Sequence, residues 1–343
     1  MIKRILIVGF GSIGKRHLRI ARDLFPNADI QILRHRKVDS IPSRANGNFF
    51  NIEDATKFLP QIAILANPAT HHLDVANALA DIGVHLLIEK PLASSIRGVK
   101  GLVEKCDRHL SVLMIGYNLR FLSSLKHFRN SIRKGGIGNV LSVRCEVGQD
   151  LPSWRPGKDY QNGVSARRDL GGGVLLELSH EIDYLRWIFG EIEWVKASLS
   201  TQSKLDIDVE DTAHLVVGFE SKGKGEVLIA SINMDFIRQD HTRICLAIGE
   251  KGSLRWNGLT GEVEYYKSAS KKWELIFKGK DNIDDSYLFQ WRHFISCIKE
   301  KKDPLVSGED GEKVLEIIEA ARQSSTDIGQ MVSYRHSSSR VGN

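Results

Sequence analysis

A glycine-rich turn near the start of the chain limits the possible folds more than any other feature. The apolar run at residues 5–8 (Ile-Leu-Ile-Val) is followed at once by Gly9-Phe10-Gly11-Ser12-Ile13-Gly14. Apolar residues then recur every three or four positions, which is the spacing of one helix face, until Pro26 ends the pattern. A buried strand, this turn and an amphipathic helix, in this order, predict a dinucleotide-binding unit.

The same alternation continues through the first third of the chain. Short apolar runs predict strands at residues 30–33, 62–66, 85–89 and 112–115, with helices between them. One of these helices is expected to run from Thr70, a favourable N-cap, to Gly83. Strands alternating with helices are typical of a doubly wound parallel sheet. We therefore predict an α/β domain of the Rossmann type over residues 1–121.

The pattern changes after residue 121. Helices are predicted at residues 122–134 and, as one continuous helix, at residues 174–189. Strand-like runs follow, and short connections such as residues 249–253 favour antiparallel neighbours. We predict an α+β domain with a large, mostly antiparallel open sheet over residues 122–343, which ends with two helices near residues 286–299 and 308–324.

Composition excludes several functional classes. At 343 residues, two domains are a better prediction than one hydrophobic core. The net charge of +6 is mild and the basic residues are scattered, so no nucleic-acid partner is predicted. No apolar run approaches the roughly 20 residues that span a bilayer, and the N-terminus lacks a signal-peptide pattern. Four cysteines without metal spacing predict no metal site and a cytoplasmic protein.

The glycine motif assigns a cofactor role to each of its positions. Gly9 permits the tight turn, Gly11 lets the backbone approach a pyrophosphate, and Gly14 allows close packing of helix and strand. The N–H groups at the start of the helix, at Ser12 and Ile13, are expected to face the phosphates.

The end of the second predicted strand bears on the choice of dinucleotide. Leu33 is followed by Arg34-His35-Arg36, where recognition of NAD would favour a carboxylate. A guanidinium group can pair with a 2′-phosphate, so Arg34 and Arg36 favour NADP. NAD remains the alternative, because an arginine can also stack on adenine.

A second signature, Glu89-Lys90-Pro91, ends the apolar run at residues 86–88. In a parallel sheet it lies at the same carboxyl edge as the glycine turn, where open α/β sheets bind ligands. Lys90 is therefore predicted to act on a substrate beside the dinucleotide, which indicates hydride transfer. The alternative is an exposed lysine at the start of a helix.

Taken together, these motifs resemble the glucose-fructose oxidoreductase / inositol dehydrogenase / rhizopine catabolism (Gfo/Idh/MocA) oxidoreductases over nearly the whole chain. The matching segments are residues 9–14, residues 66–72 (Ala-Asn-Pro-Ala-Thr-His-His), residues 89–93 (Glu-Lys-Pro-Leu-Ala), residues 116–121 (Gly-Tyr-Asn-Leu-Arg-Phe), residues 171–173 (Gly-Gly-Gly) and residues 180–183 (His-Glu-Ile-Asp). The resemblance implies a C-terminal domain whose open sheet often mediates a homodimer or homotetramer.

The resemblance also implies roles for individual residues. Lys90 would orient or protonate the reacting oxygen, His180 would share this acid–base role, and Arg120 would reach the substrate. Residues implied to lie beside the cofactor are Ala66, Asn67, Pro68, His72, Glu89, Lys90 and Asn118. Family members often carry Asp four residues before the histidine, whereas this chain has Glu177 three residues before it. On one helix, Glu177 would still share a face with His180, and Asp183 is a second candidate partner.

The loop before residue 171 gives the substrate clue. Trp154 and Tyr160 can stack on a sugar face, while Arg155 and Arg167 can pair with a carboxylate or phosphate. Similar loops in the family border the substrate, which favours a sugar or sugar derivative, including anionic ones. The alternative is a surface loop anchored by Trp154.

The leading hypothesis is an NAD(P)-dependent oxidoreductase that interconverts a secondary alcohol and a ketone. One alternative is a glycosidase with a tightly bound NAD. Another is a non-catalytic sensor that binds a dinucleotide, although a sensor would need neither Lys90 nor His180.

Overall fold

The first sheet gathers the carboxyl ends of its parallel strands along one edge, as the sequence predicts. The computed structural model describes residues 2–38, 40–154, 157, 159–220 and 227–333. The strands of this sheet are β1 (Arg4–Val8), β2 (Asp29–Leu33), β3 (Gly47–Phe49), β4 (Ile62–Leu65), β5 (His85–Ile88) and β6 (Leu113–Ile115). Their order is β3-β2-β1-β4-β5-β6 and each neighbouring pair is parallel, which is the order of dinucleotide-binding sheets.

The strands are continuous apolar runs because both faces of this sheet are covered. Ile5, Leu6, Ile7 and the whole of β4 are fully buried. The strand β3 was not predicted, since Gly-Asn-Phe contains no apolar run.

Helices follow the strands of this sheet. They are α1 (Ser12–Leu24), α2 (Ile52–Lys57), α3 (His72–Ala80) and α4 (Val99–Arg108), with 3₁₀ turns at Ala69–His71 and Asn118–Phe121. The predicted N-cap at Thr70 is wrong, because Thr70 lies inside a 3₁₀ turn and α3 begins two residues later. Gly83 has φ +72°, as expected for a left-handed stop after a helix.

The second sheet is mixed and mostly antiparallel. Its strands are β7 (Val140–Gly148), β8 (Ile192–Ser200), β9 (Thr212–Phe219), β10 (Ile229–Asp235), β11 (Thr242–Gly249), β12 (Gly252–Asn257), β13 (Glu262–Lys267), β14 (Lys272–Lys278) and β15 (Val332–Ser333). The strand order is β14-β13-β12-β11-β7-β10-β9-β8-β15, and β7 with β10 is a parallel pair. Alternate residues of β9 and β10, such as Leu215 and Ile232, are buried, so one face of the sheet forms a core.

Three helices belong with this sheet: α5 (Ser123–Arg133), α6 (Val174–Glu177) and α7 (His180–Phe189). The single helix predicted at residues 174–189 is wrong, because Leu178 and Ser179 separate α6 from α7. Ser179 Oγ donates a hydrogen bond to the Leu176 carbonyl oxygen (2.9 Å). Such a local side-chain bond competes with the helix ladder.

The chain forms two compact units, and each draws on separate stretches of sequence. The first comprises the described residues of Met1–Leu122, Arg167–Gly172 and Asp281–Leu315. The second comprises those of Ser123–Ala166, Gly173–Lys280 and Glu316–Asn343. The two predicted terminal helices are present as α8 (Ile283–Glu300) and α9 (Gly308–Thr326). The helix α8 thus belongs to the unit that contains the parallel sheet, whereas the division at residue 121 stays a prediction about functional domains.

Among the described residues, no helix combines the length and apolar character needed to cross a bilayer. The same part of the chain contains no cluster of three or more His, Cys, Asp or Glu side chains suited to a metal ion.

Candidate functional site

The glycine turn between β1 and α1 has the shape of a phosphate cradle. Gly9 has φ +86°, and a Cβ atom there would lie 2.7 Å from Asn67 N and 2.8 Å from Ala66 O. A Cβ atom on Gly14 would overlap with the Gly9 carbonyl oxygen. At Gly11, in contrast, no heavy atom of the described residues beyond its two chain neighbours lies within 4 Å of the Cβ position. The backbone therefore needs glycine at two positions for packing and leaves open space at the third.

The start of α1 fits the pyrophosphate of a dinucleotide. Gly11 is its N-cap and makes no side-chain cap, and the first turn contains no acidic residue. The N–H groups of Ser12 and Ile13 therefore lie at an uncapped, positively polarised helix end. Open space and free donors at this position suit an anionic group.

Two cations flank the same turn. The Arg34 guanidinium lies 5.0 Å from the centre of the Phe10 ring, and Lys15 Nζ lies 5.5 Å from it. Arg36 is exposed two residues further on. The end of β2 thus presents positive charge beside the glycine turn.

The loop after β4 carries polar atoms that lack protein partners. Asn67 Oδ1 and Thr70 Oγ1 are buried and make no hydrogen bond within the described residues. Buried polar atoms are normally satisfied, so these two are suited to a bound ligand. Ala66 and Asn67 also form the wall against which Gly9 packs.

His72 connects this loop to the lysine loop. Its Nε2 lies 2.9 Å from the Asn67 carbonyl oxygen, and its Nδ1 lies 3.1 Å from that of Pro91. Burial lowers the pKa of the His72 imidazole, and the carbonyl oxygens that face its two nitrogens act in the opposite direction. His72 thus braces the two loops, while its place beside the cofactor stays a prediction.

Glu89 and Lys90 follow β5 at the same sheet edge. Glu89 is buried, its Oε1 lies 2.7 Å from His17 Nε2, and Lys90 is partly exposed. The Lys90–Pro91 peptide bond is cis. Gly116, after β6, packs directly on Glu89, because a Cβ atom there would lie 3.0 Å from Glu89 Cα.

The 3₁₀ turn at Asn118–Phe121 holds two further predicted residues, and both are buried. Asn118 Nδ2 donates to Ser286 Oγ (2.7 Å). Arg120 donates to the Leu305 carbonyl oxygen (2.9 Å) and pairs with Asp310 (3.2 Å). The structure thus gives Arg120 a bracing role, while contact with substrate stays a prediction.

In the second unit, His180 is the first residue of α7 and is buried. Glu177 is the last residue of α6, so the two do not share a continuous helix. Glu177 Oε2 accepts a hydrogen bond from Ser165 Oγ (2.9 Å). Asp183 is buried on α7, and support of His180 by either carboxylate stays a prediction.

The predicted substrate loop is only partly described. The Trp154 ring packs edge-on against Phe236 (5.2 Å, 83°), and its buried Nε1 makes no hydrogen bond within the described residues. The Tyr160 hydroxyl accepts a bond from Asp206 N (3.3 Å). Arg155 lies outside the described residues. Arg167, in the first unit, is exposed and pairs with Asp169 (3.3 Å).

Three residues that support the predicted site were not predicted: His17 and Ser286, which contact it directly, and Trp291, which contacts it through His17. His17 bonds to Glu89, Ser286 to Asn118, and Trp291 to His17. Their signal in the sequence is a polar side chain on the apolar face of a helix, as at His17 on α1 and Ser286 on α8.

Two domain models of the GFO/IDH/MocA oxidoreductase family match the chain. The NAD-binding Rossmann-fold model covers residues 3–117, and the C-terminal alpha/beta model covers residues 129–331. Myo-inositol 2-dehydrogenase from Thermotoga maritima is 27% identical over 94% of this chain and 96% of its own length.

Solved structures share the fold. A levoglucosan dehydrogenase in complex with NADH and levoglucosan superposes with a TM-score of 0.84, at 20% identity over 97% of this chain and 99% of its own. The WlbA dehydrogenase from Bordetella pertussis, in complex with NADH and UDP-GlcNAcA, gives a TM-score of 0.79 at 22% identity, over 98% and 99% of the two chains. At such identities the likeness establishes the fold alone.

Replacing Gly14 by alanine is expected to destabilise the protein by about 1–3 kcal/mol, because the new methyl group overpacks against Gly9. Gly11→Ala is the matched variant: its methyl group has space, so the loss of stability should stay at about 0.5–1 kcal/mol, which is the cost of alanine as a poorer N-cap residue. Its cofactor affinity should fall, because the methyl group occupies the phosphate cradle. Thermal unfolding and calorimetry with NADH and NADPH measure both effects. If Gly11→Ala bound NADH and NADPH as tightly as the wild type, the assignment of this turn as a phosphate cradle would be wrong.

Proposed function

The chain belongs to the Gfo/Idh/MocA oxidoreductase family, and on this premise we propose that it is an NAD(P)-dependent dehydrogenase that interconverts a secondary alcohol and a ketone on a sugar or sugar derivative. When bound, the nicotinamide supplies the hydride acceptor or donor at its C4 atom. The protein then has to bind the dinucleotide, orient the substrate and move one proton.

One continuous set of contacts carries this proposal, because it joins the phosphate cradle to Lys90. Gly9 packs on Asn67, and His72 lies between the Asn67 and Pro91 carbonyl oxygens. Lys90 is the residue before Pro91. A lysine fixed relative to the cofactor cradle in this way is suited to act on a substrate beside the nicotinamide.

We infer that Lys90 and His180 share the proton transfer. In oxidation they take the proton of the substrate hydroxyl, and in reduction they return it to the carbonyl oxygen. Lys90 and His180 belong to different compact units. Whether they act together is tested by comparing the kcat of the double variant with that of each single variant. Glu177 and Asp183 remain the proposed supports of His180.

Lys90→Ala is expected to lower kcat by about 10²–10⁴-fold, because a positioned proton donor contributes this range. Cofactor affinity should change far less. Steady-state kinetics and calorimetric cofactor binding separate the two effects. Lys100→Ala is the matched control, since Lys100 is an exposed lysine on α4 of the same unit.

His180→Asn should also lower kcat, and the double variant should lose less than the product of the two single losses. Such a shortfall is expected when two groups act on one proton. Loss of cofactor affinity alone in Lys90→Ala, with kcat retained, would contradict the assignment.

We propose the substrate class on the basis of Trp154, Tyr160 and Arg167. An aromatic ring suits a sugar face and a guanidinium suits an acidic group. The two neighbouring structures described above were solved with NADH and levoglucosan and with NADH and UDP-GlcNAcA, and we propose to screen these two compounds first.

We propose NADP(H) as the preferred cofactor, with NAD(H) as the alternative. The support is the cationic end of β2, where Arg34 and Lys15 flank Phe10 and Arg36 is exposed. A carboxylate, which would repel the 2′-phosphate, does not follow Leu33.

Arg34→Glu is expected to weaken NADPH binding by about 10–100-fold, because a charge-assisted hydrogen bond is lost and a repulsive charge is added. NADH binding should change little. The ratio of the two dissociation constants, from calorimetry, is the measurement. Arg108→Glu, an exposed charge reversal on α4, controls for net charge. Equal losses for NADPH and NADH would reject the proposed preference.

We further propose a homo-oligomer in which the open face of the nine-stranded sheet packs on a second copy. Across this face, one row of directly paired residues contains Lys196, Val216, Ser231, Arg144, Leu246, Arg255 and Glu264. Ile244 and Ile248 lie beside Leu246 on β11 and are half-buried. Apolar residues among charges of both signs suit a self-complementary interface about a two-fold axis.

Leu246→Arg is expected to shift the protein toward the monomer, because two guanidinium groups would face each other across the axis. Sedimentation velocity measures the mass. Leu259→Arg, at the exposed turn between β12 and β13, is the matched control. A wild-type protein that sediments as a monomer would reject this part of the proposal.

The proposed location is the cytoplasm. Cys145 and Cys245 lie directly opposite each other on β7 and β11, yet both are free thiols. Burial raises the pKa of each, which keeps them protonated. Support for a reducing compartment comes from the sequence, where four scattered cysteines in a chain of this length do not suit a disulfide scaffold.

A further inference from the structure

A buried chain of three side chains connects α8 to the loop that carries Lys90. Trp291 Nε1 on α8 lies 2.8 Å from His17 Nδ1 on α1, and His17 Nε2 lies 2.7 Å from Glu89 Oε1. Trp291 and His17 have no exposed surface, and Glu89 is 8% exposed. All three belong to the first compact unit.

The chemistry of the three groups fixes the direction of both hydrogen bonds. An indole nitrogen can only donate, so His17 Nδ1 accepts and carries no proton. The imidazole proton is then on Nε2, which donates to the Glu89 carboxylate. A neutral His17 in this single tautomer satisfies both contacts, because Nδ1 accepts from Trp291 and Nε2 donates to Glu89.

Further contacts keep this chain in place. The Tyr287 ring lies edge-on to His17 (5.6 Å, 76°). Asp284, in the first turn of α8, accepts from Arg16 and Arg19 of α1. The two helices are thus held together at the level of the histidine.

The same helix also supports Asn118. Ser286 Oγ accepts from Asn118 Nδ2, and Ser286 precedes Trp291 by little more than one turn. Thus α8 contacts the predicted nicotinamide site at two places, once directly and once through His17.

Glu89 retains an acceptor for a ligand. His17 uses Oε1, and within the described residues no hydrogen bond to Oε2 is formed. Oε2 packs near Gly116, where a Cβ atom would lie 3.0 Å from it. A carboxylate held at one oxygen can accept a hydroxyl proton donor at the other.

We infer that His17 and Trp291 are positioning residues that hold Glu89 to accept a hydrogen bond from a ribose hydroxyl of the bound dinucleotide. This inference rests on the proposed dehydrogenase function, since it needs a dinucleotide at this edge. It assigns a cofactor-binding task to two residues of α1 and α8 that lie 274 positions apart.

His17→Leu is expected to raise the cofactor dissociation constant about tenfold, because one charge-assisted contact is lost. At saturating cofactor, kcat should fall by less than about threefold, since Lys90 is unchanged. His17→Gln places an amide donor near the Nε2 position and should restore most of the affinity. Calorimetry measures the cofactor dissociation constant, and steady-state kinetics measures kcat.

Trp291→Phe keeps a ring but removes the indole donor. We expect the His17 tautomer to become mixed and the cofactor dissociation constant to rise by several-fold. Nitrogen-15 NMR of histidine-labelled protein reports the tautomer without cofactor or substrate. Wild-type protein should show a protonated Nε2 and an unprotonated Nδ1 at His17.

Phe294→Leu is the matched packing control, because Phe294 is fully buried on α8 but does not belong to the chain. It should lower the unfolding temperature and leave cofactor affinity unchanged. Equal impairment by His17→Leu and His17→Gln would overturn the inference, as would an Nδ1-protonated wild-type His17. If wild-type protein binds and turns over cofactor but His17→Leu leaves the dissociation constant unchanged, only this inference fails. If wild-type protein binds no nicotinamide dinucleotide, the proposed function fails as well.

Discussion

The approach of the Gly9 backbone to the backbone of Ala66 and Asn67 is the constraint on which the first unit depends. It occurs where β1 and β4 are neighbours, at the point where the strand order reverses. Any side chain at residue 9 would separate the two loops. Because they touch, the helix N-terminus, the loop at residues 66–68 and the brace formed by His72 all have fixed positions. The lysine loop is connected to this contact through His72, which lies between the Asn67 and Pro91 carbonyl oxygens.

Support for the site comes from a distant part of the sequence. The helix α8 supplies Ser286 to Asn118 and Trp291 to His17, although it follows the entire second sheet except β15. Polar side chains on a buried helix face would cost stability if they were unsatisfied. Here Ser286 and Trp291 find partners on Asn118 and His17, two residues beside the dinucleotide-binding loops. Packing and positioning are therefore performed by the same helix face.

Local sequence patterns correctly predicted those parts of the fold that depend on neighbouring residues. Apolar runs located the strands of the parallel sheet, and the glycine spacing located the turn and the helix after it. Local patterns do not reveal pairings between distant polar groups. The family resemblance implied that Arg120 reaches the substrate, which stays a prediction, but no local pattern indicated its partners Asp310 and the Leu305 carbonyl oxygen.

The break between α6 and α7 was missed for a different reason. Apolar periodicity continues across it, while the bond from Ser179 to the Leu176 carbonyl depends on the rotamer of one side chain. The strand β12 was also missed, since Gly252 and Ser253 read as a turn. For the site, the glycine and lysine motifs were visible, whereas His17 and Trp291 become interpretable only when α1 and α8 are seen side by side.

The discontinuous make-up of the first unit has a consequence for biosynthesis. A ribosome delivers the parallel sheet first, but the indole that caps His17 and the hydroxyl that holds Asn118 emerge only after the whole second sheet except β15. Until then the nascent α1 lacks its neighbour, and the apolar face that α8 will cover stays exposed. The sheet and its glycine turn can form early. The contacts that hold Glu89 and Asn118 at the sheet edge are completed only when translation is nearly finished. Newly made chains therefore pass through a long stage in which the dinucleotide cradle exists before the groups that steady Glu89 and Asn118.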